Sequence, residues 1–406
     1  MSSDQLLARL AQPSGFWTTP WPGTLLAVAA VVVLAGYLAL RHRRLTGRLG
    51  RHRVGVPRRG FAIAAIATSC LLGLLSGGAF VNAFVGYLPT NAAIAQALGL
   101  SQVGAAPPAP PVQRDSAAIG AAPASVSRSA NSRGTLLRQT SAGQGPGTVV
   151  QADLPAPGLG VTAGSTYIYL PPGYASATGR YPVIYLIHGS PGSPQDWFRA
   201  AQAAQIATAL IHANLMPPAI LVAVDANGNQ GFLHDTECLD AVHGAQVETY
   251  LSSTVVHYVD SHFRTLPDPG DRVIGGMSSG GYCAMNLGLR HRDVYSTVLA
   301  MEPYGTPGTP ALQRLLAGNQ ALYRANSPTS YLPTMRFSHP MAFFVDVGAN
   351  SSPHSARALD HLLTARGQLV EYRVEPGVGH TWNEARAGLP YALAFAGRML
   401  SAAPAP

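Results

Sequence analysis

The 406-residue chain contains no lysine, and all 27 of its basic residues are arginine. A bias of the genome accounts for that better than any one function, and no chemistry follows from it. Charge of either sign is scarce: Asp, Glu, Lys and Arg make up 11% of the chain against 47% hydrophobic residues, unusually apolar for a soluble protein. Acid is absent altogether from one stretch, Arg41 to Arg59 ("RHRRLTGRLGRHRVGVPRR"), which carries eight arginines. Setting those eight aside cancels the formal net charge of +8, so the basic balance reports topology and excludes a reading as a nucleic-acid binder. No internal repeat occurs at a solenoid period, and His339, His354 and His361 lack a metal-ligand pattern.

What is present explains the scarcity of charge. Thr24 to Leu40 is an uncharged run of 17 residues with Trp17 and Trp21 just before it, and Phe61 to Tyr87 is a second of 27 residues. Each is long enough to cross a bilayer. Arginine-rich loops stay in the cytoplasm, so the short N-terminus and everything after Tyr87 are expected outside. A first apolar run ahead of the basic stretch argues against a simple cleaved signal peptide. The expected organisation is a membrane anchor over residues 1–89, with transmembrane helices at about 22–40 and 61–87 and a cytoplasmic loop at 41–59. A linker follows at 90–132, rich in Ala, Pro and Ser with hardly any aromatic residue to build a core. A folded domain then occupies 133–402.

That domain alternates β-rich apolar runs with helical patterns, the signature of an α/β fold with a mostly parallel sheet and helices on both faces. Strands are expected at Ser165–Pro171, Tyr181–Ile187, Ala219–Asp225, Asp271–Gly276, Ser296–Glu302, Met341–Gly348 and Leu369–Glu375. Several are nearly continuous apolar runs, as strands buried on both faces must be. Val247, Tyr250, Leu251, Val255 and Tyr258 recur at helical spacing between Gly244 and Phe263 and read as core.

One junction carries chemistry. "DRVIGGMSSGGYCAMNLGLRH" (Asp271 to His291) runs strand, glycine-rich turn, helix, the context in which a Gly-x-Ser-x-Gly pentapeptide presents a nucleophile on a strained elbow. Ser278 is its central serine, and Ser279 follows with a backbone N–H available to an oxyanion. A serine needs a base, and His380 sits in a Gly-flanked loop after the last strand. It also needs oxyanion donors, and the His188-Gly189-Ser190 loop after an early strand offers the N–H of Ser190 beside that of Ser279. His188 itself reads as loop-shaping, while Trp197 and Trp382 read either as walls of the site or as packing.

The segments "YLPPGY", "LIHGSPGSPQDW", "GGMSSGGYCAMNLGLRH" and "PGVGHTWNEARAGLPYAL" together resemble the esterase D type esterases, which are similar to the mycolyltransferases of actinobacterial envelopes. The resemblance covers roughly Gly160 to Leu400. It implies the α/β-hydrolase fold and a serine hydrolase or acyltransferase acting on esters, with no metal and no organic cofactor. That family places its triad acid in the loop after the strand matching "MAFFVDVG", yet "GANSSPHSARAL" (Gly348 to Leu359) holds no carboxylate. Asp346, on that strand, is the first candidate acid and Glu302 the second. Asp225 ranks third because it precedes the serine.

Of three cysteines, Cys70 falls in the second apolar run. Cys238 and Cys283 are the only pair expected outside, where disulfides persist, and are expected to bridge. The expectation is a plasma-membrane, multi-pass protein with an extracytoplasmic catalytic domain that acts on ester or lipid-like substrates of the envelope, the bilayer being its partner. An acyltransferase, or a hydrolase scaffold turned binding module, are the alternatives. Residues 305–340, between two strands, are long enough to cap the site.

Overall fold

The computed structural model describes residues 1–12, 16–46, 59–100, 104–105, 145–161, 164–228, 231 and 233–402. Positions 47–58 of the basic loop and 106–132 of the linker lie outside the described residues. The chain forms two compact units, one of Met1–Gln12 with Gln102–Pro406 and the other of Pro13–Ser101.

The Pro13–Ser101 unit is built on two long helices, α1 (Trp21–Thr46) and α2 (Arg59–Val85). They pack side by side, with Ser76 Oγ donating to the Gly23 carbonyl at 2.8 Å. Asn82 ties the following turn by donating to the carbonyls of Trp17 and Leu88. Apart from that seam their apolar side chains face outward: Leu25, Val28, Val31 and Val32 on α1, and Leu71, Leu74, Val81 and Phe84 on α2, are exposed. A short helix, Asn91–Ala97, begins where the linker was expected.

The other unit is organised by a nine-stranded sheet. Its strands are β1 (Gly104–Ala105), β2 (Thr148–Asp153), β3 (Ser165–Leu170), β4 (Val183–Ile187), β5 (Ile220–Val224), β6 (Arg272–Met277), β7 (Thr297–Met301), β8 (Ala342–Gly348) and β9 (Leu369–Glu375). The order across the sheet is β1-β2-β3-β5-β4-β6-β7-β8-β9; β3 runs antiparallel to both neighbours and β5 through β9 are parallel. The seven expected strands are β3 to β9. The two at the β1 edge were not expected; β2 mixes exposed, half-buried and buried positions and carries no continuous apolar run.

β4, β5, β6 and β7 are buried at every position because helices cover both faces, and each buried aliphatic residue there contributes about 1.5–3 kcal/mol. On one face, α4 (Val255–His262), α5 (Ser279–Arg290) and α6 (His354–Ala365) join a core with Tyr185, Ile187, Ile274, Val298, Phe343, Val345 and Val347. On the other, α3 (Ala203–His212) packs on α7 (Trp382–Ala402), and Phe344 meets Phe395 of α7 at 5.8 Å. Side-chain alternation therefore puts Phe344 and Asp346 under α7, while their neighbours face the α5 side.

Candidate active site

The carboxyl ends of β4, β6, β7, β8 and β9 lie along one edge, and the order reverses at β4, so loops from separate parts of the chain converge outside that edge. The loop after β6 is the sharpest. Ser278 adopts φ 60°, ψ −119°, a backbone conformation that costs about 1–3 kcal/mol and persists because its surroundings fix it. Its N–H donates to the Met301 carbonyl at 2.9 Å, and its carbonyl accepts the Tyr282 N–H at 2.9 Å. Glycine is required on both sides: a Cβ on Gly276 would lie 2.0 Å from the Gly280 carbonyl oxygen, and one on Gly280 would lie 2.1 Å from that of Ile187.

His380 comes from the loop between β9 and α7. This loop is pinned to the end of β8, with Asn350 N–H donating to Val378 O at 2.9 Å and Ala349 N–H to Glu375 O at 2.8 Å. His380 Nε2 lies 2.6 Å from Ser278 Oγ. On the far side of the ring, Nδ1 is 3.5 Å from Glu302 Oε2. Those partners assign the neutral tautomer with hydrogen on Nδ1, leaving Nε2 to accept.

The acid expected first is therefore corrected: Asp346 does not reach His380, and Glu302, the second candidate, does. Glu302 sits one residue past β7 with φ 50°, a left-handed turn that aims its side chain along the sheet edge. Its Oε1 accepts the Gly348 N–H at 2.9 Å and the Ser351 hydroxyl, which leaves Oε2 for the histidine. Asp346 pairs in register with Met301 and its carboxylate points under α7, where it is fully buried. Asp225, the third candidate, instead accepts the Asn227 N–H at 2.8 Å.

His188 shapes the loop after β4. Its Nδ1 lies 2.8 Å from the Gly189 carbonyl and its Nε2 accepts the Ala226 N–H at 3.1 Å, so both ring nitrogens are spent on backbone. A Cβ on Gly189 would come within 3.3 Å of the Ser278 Cβ, so the Ser190 loop lies against the elbow. Trp197 and Trp382 pack edge to face at 5.4 Å and are buried.

Three residues beside the serine had no assignment from the sequence. Asp235 accepts the Ser279 hydroxyl at 2.8 Å, and Glu237 accepts the Tyr304 hydroxyl at 2.7 Å and the Gly308 N–H at 3.0 Å. Burial, reinforced by the neighbouring Asp235 charge, pushes the Glu237 carboxyl up to about 7. The signal for them was the Cys238–Cys283 disulfide, Cα–Cα 5.7 Å, because bonding a residue on α5 to "DTEC" brings that tetrapeptide to the elbow. The Gly305–Pro340 segment contains three short helices, Thr309–Arg314, Gln320–Ala325 and Pro328–Tyr331, and the first packs on Leu239 and Ala241.

Comparison with known proteins fits this arrangement. The Esterase family model, described as "Putative esterase", matches residues 164–382. A solved ferulic acid esterase superposes with a TM-score of 0.56 at 25% identity, covering 63% of this chain and 98% of its own. The S-formylglutathione hydrolase of Agrobacterium tumefaciens superposes at 0.54 and 18% identity over 63% and 96% of the two chains. Fluorophosphonate-binding serine hydrolase F of Staphylococcus aureus does so at 0.50 and 13% over 62% and 99%; these last two are likenesses of fold. An uncharacterized protein of Corynebacterium glutamicum is 31% identical over 180 residues, 43% of this chain; the alignment spans only 41% of that relative's length. With a family match over more than half its length and the fold of the family's solved neighbours, the chain belongs to the esterase family of α/β-hydrolases.

Proposed function

We propose that the protein is a membrane-anchored, extracytoplasmic serine esterase that hydrolyses carboxylic esters of envelope lipids through an acyl-enzyme on Ser278. The observation that carries this reading is the line Ser278 Oγ, His380, Glu302, with 2.6 Å to one ring nitrogen and 3.5 Å to the other, at the top of a strained elbow.

The steps follow from those positions. Ser278 Oγ attacks the ester carbonyl carbon while His380 Nε2 takes its proton, and Glu302 holds the ring and stabilises the imidazolium. Negative charge forms on the carbonyl oxygen, where the N–H groups of Ser190 and Ser279 are proposed to receive it; each such donor supplies about 2.7–4 kcal/mol. Collapse expels the alcohol, which takes the proton back from His380. Water then enters, His380 deprotonates it, and the carboxylic acid leaves with Ser278 restored. The His380 side chain is 46% exposed, which supports water as the acceptor.

Two observations support the placement. α1 and α2 turn long apolar side chains outward along helices of at least 22 residues, about 33 Å at 1.5 Å per residue, enough for a bilayer core. The Ser3–Ala11 helix belongs to the same compact unit as the esterase domain and packs on α7, so the chain between them crosses a membrane an even number of times, which two spans satisfy. A tethered site meets lipid esters at high effective concentration, hence the substrate class. The test is fluorophosphonate labelling of the full-length chain followed by ester hydrolysis. Wild type is expected to label at Ser278 and S278A not at all, with long-chain lipid esters preferred over short soluble ones. Labelling that persists in S278A overturns the nucleophile, and equal activity on short esters overturns the substrate class.

A further inference from the structure

Behind the catalytic line lies a second pair of acids that the proposed mechanism does not use. Asp346 on β8 and Glu384 in the first turn of α7 are both 0% exposed. Glu384 and Gly388 stand one turn apart on the same face of α7, the face that lies against Asp346, so the two carboxyls enter one dry layer and interact there. None of the four oxygens has a hydrogen-bond partner of good geometry, and the neighbouring Val347 N–H only weakly favours the charged form of Asp346. The space is made to fit: a Cβ on Gly388, one turn beyond Glu384, would lie 1.7 Å from Asp346 Oδ2.

The groups around the pair do not neutralise it. From β9, Glu375 adds negative charge; Arg373 draws Asp346 the other way, but its guanidinium is committed to Glu375 at 2.9 Å and to the face of Tyr391 at 3.5 Å, and burial with Glu375 outweighs it. Tyr372 of the same strand feels the Asp346 charge, and Glu302 at the end of β7 adds its own at Glu384. Arg386, two residues along α7, donates to the Ala200 carbonyl and to Asn383. Two ionised carboxylates in a dry layer whose nearby guanidinium is already paired with another acid repel one another, whereas a single proton between them turns repulsion into a strong hydrogen bond. Desolvation and the neighbouring acids accordingly hold both groups well above the usual carboxylate range.

Resting on the serine esterase reading, we propose that Asp346 and Glu384 share one proton as a clasp between β8 and α7, and that the clasp positions His380. In it, the O–H of one carboxyl donates to a carboxylate oxygen of the other. His380 lies four residues before Glu384, in the loop pinned to the chain just past β8 three and four residues beyond Asp346, so the clasp closes the base of that loop. Removing the proton forces the two carboxylates apart, separates β8 from the start of α7, and draws His380 off Ser278. The pair never touches substrate, so its members are positioning residues.

Two readouts test this on the full-length chain in detergent, comparing wild type with D346N and E384Q, whose amides donate permanently. The first is the unfolding equilibrium as a function of pH. A proton held only in the folded state costs wild type about tenfold in folding constant per pH unit, and the fall continues above pH 7, where Glu237 at about 7 is spent. Both variants are expected to flatten that upper limb; an unaltered limb overturns the shared proton. The second is the rate of fluorophosphonate labelling at Ser278. Wild type is expected to label more slowly on the alkaline side in step with the first curve, while D346N stays within about tenfold of wild type at pH 7 and loses the alkaline fall. A folded D346N that labels several hundredfold more slowly at pH 7 overturns the positioning role, because Asp346 would then act on His380 directly. If wild type labels at no pH, the serine esterase reading fails and the positioning role with it, while the unfolding series still decides the shared proton.

Discussion

Glu302, one residue past β7, and Asp346, within neighbouring β8, are joined by a backbone hydrogen bond, Glu302 N–H to Asp346 O at 2.7 Å, yet their side chains occupy opposite kinds of site. Both are buried, at 4% and 0% exposure, so burial does not separate them. Partners do. At the mouth, Glu302 has the Gly348 N–H, the Ser351 hydroxyl and the His380 ring as partners. Beneath α7, Asp346 has no hydrogen-bond donor in line with its oxygens, and burial together with the Glu375 charge holds its carboxyl well above the usual carboxylate range. A carboxylate aimed at a histidine and one aimed under a helix thus lie on adjacent strands, and a left-handed turn at Glu302 decides which is which.

The widest expected gap between the two regions is catalytic. E302Q is expected to lower kcat by about 10²–10⁴-fold with the fold intact, whereas D346N at neutral pH loses about tenfold or less. Steady-state kinetics beside near-ultraviolet circular dichroism checks both, and equal losses in the two variants would erase the distinction.

The next effect concerns how the mouth is held. Cys238 and Cys283 are 45 residues apart in sequence, and closing a loop of that length stabilises by about 4 kcal/mol in the chain-entropy model. C238S/C283S should unfold at correspondingly lower denaturant and loosen Asp235 from Ser279, with no effect on the layer under α7.

Glu237 gives a smaller, pH-dependent effect on the mouth side. Its folded carboxyl stands at about 7 against 4.5 when exposed, so the stability it contributes is fully present below 4.5 and falls as pH rises to about 7. The loss is about 3 kcal/mol over that window. E237Q should remove this limb from a plot of unfolding free energy against pH while keeping the limb above 7. A change confined to the region above 7 would assign the titration elsewhere.

The smallest effect probes the dry layer. G388A gains about 1 kcal/mol of helix propensity but drives a methyl into the Asp346 carboxyl, at a cost of about 1–3 kcal/mol. A net loss of about 1 kcal/mol is expected by denaturant titration, and D346A/G388A should recover part of it by giving the methyl room.

Much of this protein was legible in its residues because the relevant physics is local. Continuous apolar runs bounded by turn residues marked β3 to β9, since a strand covered on both faces must be apolar throughout. Glycines flanking Ser278 marked the elbow, because only glycine allows main chains to approach there. The Gly-flanked His380 followed from chain order, and Cys238 with Cys283 from their being the only cysteines of the sequence beyond the two apolar runs. The uncharged runs around the arginine-rich loop marked two long helices by length alone.

What the tertiary structure alone decided was direction. Asp346 and Glu302 are both acids at strand ends, and no pattern in "MAFFVDVG" or "STVLAME" tells which face of the sheet each side chain takes or what waits there. Alternation along β8 and the cover supplied by α7 sent Asp346 into a dry layer opposite Glu384, an acid 38 residues away that sequence reading had no reason to single out. A backbone φ of 50° sent Glu302 to the histidine. The role each carboxyl can play then follows from the groups it meets, a property of the assembled neighbourhood and not of the residue.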